Sequence, residues 1–191
     1  MISCYIFKDV NKYLMRVEHS ACLAKVSLIG SIFLLMTAQT FGEETISERI
    51  HAKFPSVRQL PTAELASWLN DTNRPAPLLL DAREPEEFAI SHLPQAQRVN
   101  PDAEVIQLIT TLPTNRTVVV YCSVGYRSSA LAGRLQKSGF TNVCNLEGSI
   151  FKWANEDRPL EHDGKPVKVV HPYNKKYSAN LKESARAPLS K

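Results

Sequence analysis

Cysteine is scarce in this chain, which contains four cysteines among its 191 residues. None of them forms a Cys-x-x-Cys pair, and no Cys/His group has the spacing of a zinc site. Cys4 and Cys22 fall in an N-terminal segment with the features of a targeting signal, which leaves too few cysteines for a disulfide framework. The sequence therefore excludes a small disulfide-stapled fold and predicts no metal site.

A strong excess of charge of one sign is also absent. The net charge is +4, and the middle of the chain has no basic patch interleaved with aromatic residues. We therefore expect no nucleic-acid partner. The 43% hydrophobic and 22% charged residues are instead typical of a globular domain.

A hydrophobic run of full membrane-spanning length is missing as well. Residues 26–42 are uncharged but slightly shorter than the roughly 20 apolar residues that a spanning helix needs. Basic residues precede this run, and small and polar residues follow it, which is the order of a secretory signal. We interpret residues 1–42 as a signal peptide, cleaved near Ala38 or Thr40, that exports the protein to the periplasm or the extracellular space. The alternative is an uncleaved anchor, with residues 26–42 associated with the membrane.

Strand and helix patterns alternate through the middle of the chain. Continuous apolar runs at 78–82 and 117–122 are typical of strands buried on both faces, and amphipathic stretches lie between such runs. The alternation predicts an α/β fold over residues 57–161, a small and mostly parallel sheet flanked by helices on both faces. Residues 43–56 are interpreted as a charged linker, either irregular or with a pair of helical turns through Ile46 and Ile50. Residues 162–191 are interpreted as a basic C-terminal tail, either solvated, packed in part through "VKVVHPY", or bound to a partner.

The most informative stretch is "VVVYCSVGYRSSALAGRL" at 118–135. Its strand places Cys122 at the carboxyl end of a parallel sheet, where ligands bind. Small residues then lead into a helix, so loop amides and the positive helix terminus point at one spot and stabilise a thiolate. Gly125 permits a positive φ, and Arg127 adds a second positive charge. We therefore predict a reactive cysteine that attacks or carries an anionic group, whereas Cys144 within "NVCNL" is expected to be a core residue.

The same loop is part of a longer recognisable pattern. The stretches "LLLDAREPEEFAISHLPQAQRVN" and "VVVYCSVGYRSSALAGRLQKSGFTNVCNLEGSIFKWANEDRPL" resemble the rhodanese-like domain of single-domain sulfurtransferases. Residues 122–128 match the family's "CxxGxRS" form. The resemblance implies that the thiolate takes sulfane sulfur from a small anionic donor such as thiosulfate and becomes a persulfide. It then passes the sulfur to a thiol, a protein acceptor or cyanide, with no metal or organic cofactor.

The resemblance and the loop chemistry together suggest roles for individual residues. Cys122 is expected to be the nucleophile and the sulfur carrier. The backbone amides of the following residues are expected to bind the anionic sulfur: Ser123, Val124, Gly125, Tyr126, Arg127 and Ser128. Arg127 either orients the donor or pairs with an acid that braces the loop. Three further residues either support the site or have a structural role alone: Asp81, Arg83 and His92.

Other functions remain open on the sequence alone. Four residues separate Cys122 from Arg127, whereas a cysteine phosphatase or arsenate reductase needs one more so that its amides encircle a tetrahedral oxyanion. A non-catalytic rhodanese-like docking module is a further alternative, although the retained cysteine argues against it. Ser91, Gln95 and Ser149 stand where the family's "GHIPGA" and "EGG" turns usually have glycine, and these departures leave the rim of the pocket and the acceptor open.

Overall fold

Five strands form a sheet in the computed structural model, which describes residues 44–102, 104–112 and 115–188. The strands are β1 (Gln59–Leu60), β2 (Leu78–Asp81), β3 (Gln97–Arg98), β4 (Val118–Tyr121) and β5 (Val143–Leu146). Their order across the sheet is β1-β5-β4-β2-β3, and each neighbouring pair is parallel. The structure thus confirms the predicted α/β fold with a parallel sheet.

Helices cover both faces of this sheet. They are α1 (Ile46–Lys53), α2 (Thr62–Asn70), α3 (Pro85–Ile90), α4 (Val105–Thr111), α5 (Tyr126–Lys137), α6 (Ser149–Asn155) and α7 (Lys175–Ser178). Successive residues of a strand point to opposite faces, so β4 supplies side chains to two apolar clusters. Val119 packs with residues of α2 and α6, whereas Val118 and Val120 pack with residues of α4 and α5.

The central strands set the position of the cysteine. All four residues of β4 are fully buried, as its unbroken apolar sequence predicts. Asp81 lies opposite Tyr121 in the register of β2 and β4, and the Ala82 N–H donates to the Tyr121 carbonyl at 2.8 Å. The carboxyl ends of the two strands are therefore level, and Cys122 emerges beside Ala82 at that edge.

The segment predicted as a linker contains a helix, at the place where the sequence suggested helical turns through Ile46 and Ile50. Thr45 and Glu48 form a reciprocal capping box at the start of α1, with the Glu48 carboxylate accepting from the Thr45 N–H at 2.7 Å. Ile50 is only 4% exposed. One buried isoleucine in a mostly charged helix gives little periodicity, which is why the sequence indicated only a pair of helical turns within a linker.

The predicted basic tail also packs onto the domain over its described part. Leu160–His162 (β6) and Lys165–Val167 (β7) form an antiparallel hairpin, and a 3-10 helix covers Glu183–Ala185. Val170 is fully buried and bridges to Arg186, because the Ala187 N–H donates to its carbonyl at 3.0 Å. The expectation of a solvated tail therefore needs correction, whereas packing through "VKVVHPY" agrees with the buried Val170. The segment buries single residues separated by turns, which leaves no helical or strand period in its sequence.

The signal or anchor predicted for residues 1–42 lies outside the described residues. Within the ranges that are described, no helix combines the length and the hydropathy needed to cross a bilayer.

Candidate functional site

Cys122 follows β4 directly and is held through its backbone by the start of α6. Its N–H donates to Ser149 Oγ at 3.1 Å, and its carbonyl accepts from the Ile150 N–H at 3.1 Å. The residue is 1% exposed. The first turn of α6 therefore fixes the backbone from which the sulfur projects.

Gly125 turns the loop back over the cysteine. Its φ of +111° lies in the left-handed region, where glycine is favoured, and it forms the N-cap of α5. The Gly125 N–H donates to Cys122 Sγ at 3.2 Å. A Cβ at this position would lie 3.3 Å from both Asn145 Nδ2 and Ile50 Cδ1. Glycine is therefore needed here to aim an amide at the sulfur.

The other predicted loop residues fall into two groups. Residues 123–124 lie in the loop, whereas residues 126–128 form the first turn of the 12-residue helix α5. Among the described residues, the Gly125 amide makes the backbone hydrogen bond to the sulfur. The other N–H groups in the first turn of α5 have no partner within the helix. They lie next to the sulfur, together with the positive end of the helix dipole.

The Ser128 side chain ties α5 to the sheet. Its hydroxyl donates to Asn145 Oδ1 at 2.5 Å, and Asn145 Nδ2 donates to Gln59 Oε1 at 2.6 Å. Both Ser128 and Asn145 are fully buried. The side chain of Ser128 thus connects the start of α5 to β5.

Arg127 pairs with Glu87, a buried carboxylate in the first turn of α3. Arg127 Nη1 donates to Glu87 Oε2 at 2.7 Å, and Nη2 donates to Oε1 at 3.0 Å. The Ser123 hydroxyl donates to Glu87 Oε1 at 2.7 Å and accepts from Arg127 Nη2 at 2.9 Å. This geometry corresponds to the second role expected for Arg127, in which an acid braces the loop.

The electrostatics of this network keep both groups charged. Burial raises the pKa of the Glu87 carboxyl, but Arg127 and the Ser123 hydrogen bond lower it more, so it lies below its usual 4.5. Burial lowers the pKa of Arg127, whereas Glu87 and a charged Cys122 raise it, and the net change is upward. The Arg127 guanidinium, whose side chain is 21% exposed, therefore neutralises the buried Glu87 carboxylate.

We expect Glu87→Gln to lower the free energy of unfolding by about 2 kcal/mol at pH 7, because charge-assisted hydrogen bonds are lost. A carboxyl with a lowered folded-state pKa contributes stability above its unfolded value of 4.5, and that contribution disappears as the pH falls further. The difference from the wild-type protein should therefore shrink below about pH 4.5. Urea unfolding at several pH values measures this, with the exposed neighbour Glu86→Gln as control. An equal loss in both variants would contradict the role of Glu87.

Two tyrosines line the rim of the site. Tyr126 is 46% exposed, meets the Phe54 ring edge-on at 5.4 Å, and its hydroxyl bonds to Lys53 Nζ. The Tyr173 ring centre lies 4.8 Å from the Arg127 guanidinium carbon, and Tyr173 has a φ of +63°. The sequence left the role of Tyr126 open and gave no reason to place Tyr173 here.

Asp81 and Arg83 bond to each other beneath this edge of the sheet. Arg83 Nε donates to Asp81 Oδ1 at 2.9 Å, Nη2 donates to Oδ2 at 2.6 Å, and Nη2 also donates to the Ser91 carbonyl at 2.6 Å. Both side chains are fully buried. Burial lowers the pKa of Arg83, but Asp81 raises it more. The charges of Asp81 and Arg83 thus neutralise each other, and the ion pair stabilises the end of β2.

His92 joins the end of α3 to β6. Its ring stacks on Phe88 with centroids 3.9 Å apart, and its Nδ1 lies 3.2 Å from the Phe88 carbonyl oxygen. His92 and Glu161 exchange two backbone hydrogen bonds of 2.9 Å. These contacts give His92 a structural position in the domain.

Cys144 lies within β5 and is 1% exposed. Burial raises the pKa of its thiol to about 11, so it stays neutral at physiological pH. Cys122 and Cys144 are both free thiols. In the part of the chain that the structure describes, no group of three His, Cys, Asp or Glu side chains could hold a metal ion.

Sequence reasoning missed Glu87 and Asn145, and it placed Ser149 at the rim of the pocket rather than in contact with the Cys122 backbone. A signal for Glu87 was present, since it is an acid in the first turn after β2, at the same sheet edge as Cys122. Ser149 has a φ of +52°, and its place in a turn that usually has glycine was the signal for that conformation. Asn145 had none, because an asparagine in an apolar strand does not reveal its partner.

Comparison with known sequences identifies similar proteins. A family model described as the rhodanese-like domain matches residues 62–156. A sulfurtransferase of Allochromatium vinosum is 33% identical over 104 residues, which cover 54% of this chain and 94% of the relative. The probable adenylyltransferase/sulfurtransferase MoeZ of Mycobacterium tuberculosis is 35% identical over 98 residues, which cover 50% of this chain. This chain spans only 24% of the length of MoeZ.

Solved structures show the same fold. The rhodanese-like domain of an Anabaena protein superimposes with a TM-score of 0.50 at 24% identity, covering 56% of this chain and 80% of that one. At 24% identity, this similarity shows that the two proteins share an arrangement of strands and helices, and nothing about their chemistry.

Proposed function

This chain belongs to the rhodanese-like family, and from that membership we propose that it is an enzyme that carries sulfane sulfur on Cys122. Relatives named as sulfurtransferases support the reaction class. The observation that carries the proposal is the Gly125 N–H, 3.2 Å from Cys122 Sγ at the start of α5. An amide and a helix terminus aimed at this atom stabilise a thiolate, and later the outer sulfur of a persulfide anion.

Loading begins with the Cys122 thiolate. It attacks the outer sulfur of thiosulfate, the S–S bond of thiosulfate breaks, and sulfite leaves with the bonding electron pair. The cysteine becomes a persulfide anion, so the total charge is unchanged and no oxidant is needed. The loop amides bind first the anionic donor and then the transferred sulfur.

Unloading reverses the roles of the groups. An acceptor thiolate or cyanide attacks the outer persulfide sulfur, the Cys–S–S bond breaks, and the Cys122 thiolate is the leaving group. The product is an acceptor persulfide or thiocyanate. The environment that stabilises the thiolate therefore favours both attack and departure.

The position of Arg127 also argues against phosphate chemistry. Both of its Nη atoms already donate to Glu87, so one of the two guanidinium edges that can bind a pair of oxygens is occupied by a carboxylate. The loop is also one residue shorter than an oxyanion-encircling loop. Both features support a small sulfur atom at the centre of the loop.

The test is mass spectrometry of the full chain after incubation with thiosulfate. We expect a gain of about 32 Da, one sulfur atom, on the peptide that contains Cys122, removed by cyanide or a dithiol. No gain on a thiol that still reacts with iodoacetamide would contradict thiosulfate as the donor. No gain on an inert thiol would contradict catalysis and favour a docking module.

A further inference from the structure

Two side chains from outside the family-matched residues 62–156 border the cysteine loop. Ile50 of α1 precedes this region, and its Cδ1 lies 3.3 Å from the Cβ position of Gly125. Tyr173 follows it, and its ring covers the Arg127 guanidinium at 4.8 Å. The loop that holds the sulfur is therefore bordered on two sides by segments that the family pattern does not include.

Helix α1 is held across the turns that surround Cys122. Ser47 Oγ donates to Glu147 Oε1 at 3.1 Å, in the turn after β5. Phe54, which follows the helix, packs edge-on against Tyr126 at the start of α5. Ile50 lies between Ser47 and Phe54 along the chain and is 4% exposed. The helix is thus attached to both turns and spans the space between them.

The proposed reaction requires access that this arrangement restricts. Cys122 is 1% exposed and Ile50 is 4% exposed, yet the outer sulfur must meet both a donor and an acceptor. Tyr173 adopts a left-handed conformation that costs free energy for a non-glycine residue, and such conformations cluster at functional sites. Ile50 and Tyr173, which border the loop, are therefore the side chains to consider as limits on access to the sulfur.

We propose that Ile50 and Tyr173 are specificity-determining residues that set the width of the opening to Cys122. Slender acceptors, such as cyanide or an unbranched aliphatic thiol, reach the persulfide, and bulky thiols are excluded. The choice of acceptor rests on the proposed function, whereas the width of the opening can be tested without it.

The first experiment measures alkylation of Cys122 in the full chain by reagents of different size. Ile50→Ala should increase the rate with fluorescein maleimide by about tenfold and leave the rate with iodoacetamide nearly unchanged. Ile50→Phe should slow the maleimide and have less effect on iodoacetamide. Ile90→Ala is the matched control, since Ile90 is an exposed isoleucine on α3. Peptide mapping separates labelling of Cys122 from that of Cys4, Cys22 and Cys144.

Tyr173 is tested by a pair of variants in the same assay. Tyr173→Ala should raise the maleimide rate, whereas Tyr173→Phe keeps the ring and should behave like the wild-type protein. Equal acceleration of both reagents, or unchanged rates in every variant, would overturn the proposal. If Ile50→Ala loses its circular-dichroism signal, Ile50→Val and Ile50→Phe carry the same test with opposite expected directions.

The second experiment measures transfer from the sulfur-loaded protein to cyanide and to glutathione. Ile50→Ala should raise the rate with glutathione by about tenfold while the rate with cyanide changes little. A wild-type protein that takes up no sulfur contradicts the proposed function, and the alkylation ratios then still decide the width of the opening. A loaded protein whose acceptor preference does not change in the variants overturns the specificity role alone.

Discussion

Replacing Cys122 by serine should abolish sulfur uptake from thiosulfate, whereas replacing Cys144 by serine should leave uptake close to the wild-type level. The serine hydroxyl is not ionised near neutral pH, and no oxygen counterpart of the persulfide can be formed by this exchange. Cys144 is buried in β5, and its thiol is neutral because burial raises its pKa to about 11. The two variants therefore separate a positioned nucleophile from a core cysteine in the same chain.

The measurement is the mass of each variant after incubation with thiosulfate, together with alkylation across a pH series. In Cys122→Ser, the remaining described thiol should react slowly until the pH approaches 11, because the thiolate fraction of Cys144 is small below that value. Sulfur uptake by Cys122→Ser, or its loss in Cys144→Ser, would overturn the assignment of the carrier. Unfolding curves of both variants must show that each remains folded.

The cysteine loop could be predicted from the sequence because its determinants are neighbours along the chain. A buried strand, Cys122, a glycine at a position that requires positive φ and a helix start follow one another within a few residues. Parallel strands place such a loop at the carboxyl edge of the sheet. Local sequence preferences and fold topology therefore predicted the same position for the cysteine loop.

The residues that brace the loop could not be predicted in the same way. Glu87 and Arg127 are 40 residues apart in the sequence. The residues next to each of them do not indicate which residue it pairs with. Of the two roles considered for Arg127, only the packing of α3 against α5 could indicate the one that the structure shows. A pairing of this kind depends on tertiary structure, and a single sequence does not record it.

The segments flanking the family pattern were predicted only in part, for a different physical reason. A surface helix with one buried apolar residue, as α1 has with Ile50, reads as a charged linker. A segment that buries Val170 and Leu181 through turns reads as an aperiodic tail. Periodicity detects elements that bury a whole face, and it misses segments attached to a domain by single side chains. In this protein Ile50 contacts the cysteine loop, whereas Val170 and Leu181 pack into the apolar cluster on the α2 and α6 side of the sheet.

Replacing Asp81 by alanine should lower the free energy of unfolding by about 3–5 kcal/mol, the second large effect that we expect. Arg83 is fully buried, and without Asp81 its charge would lack a counter-charge in a low-dielectric environment. Total stabilities of domains are about 5–15 kcal/mol, so the variant should be close to unfolding at physiological temperature. Urea unfolding measures the change, and a loss below about 1 kcal/mol would show that the pair contributes little.

The double variant Asp81→Ala/Arg83→Met decides whether this pair is structural or part of the chemistry. Removing both charges avoids an unpaired buried cation, so the double variant should be more stable than Asp81→Ala. Asp81 lies opposite Tyr121 in the sheet register, next to Cys122, so the single variant should also disturb the strand end that positions the sulfur. If the double variant folds and takes up sulfur at a rate close to the wild-type protein, the pair supports the strand without acting on the substrate. If it folds but takes up no sulfur, Asp81 or Arg83 acts in the reaction, and the structural role described above is wrong.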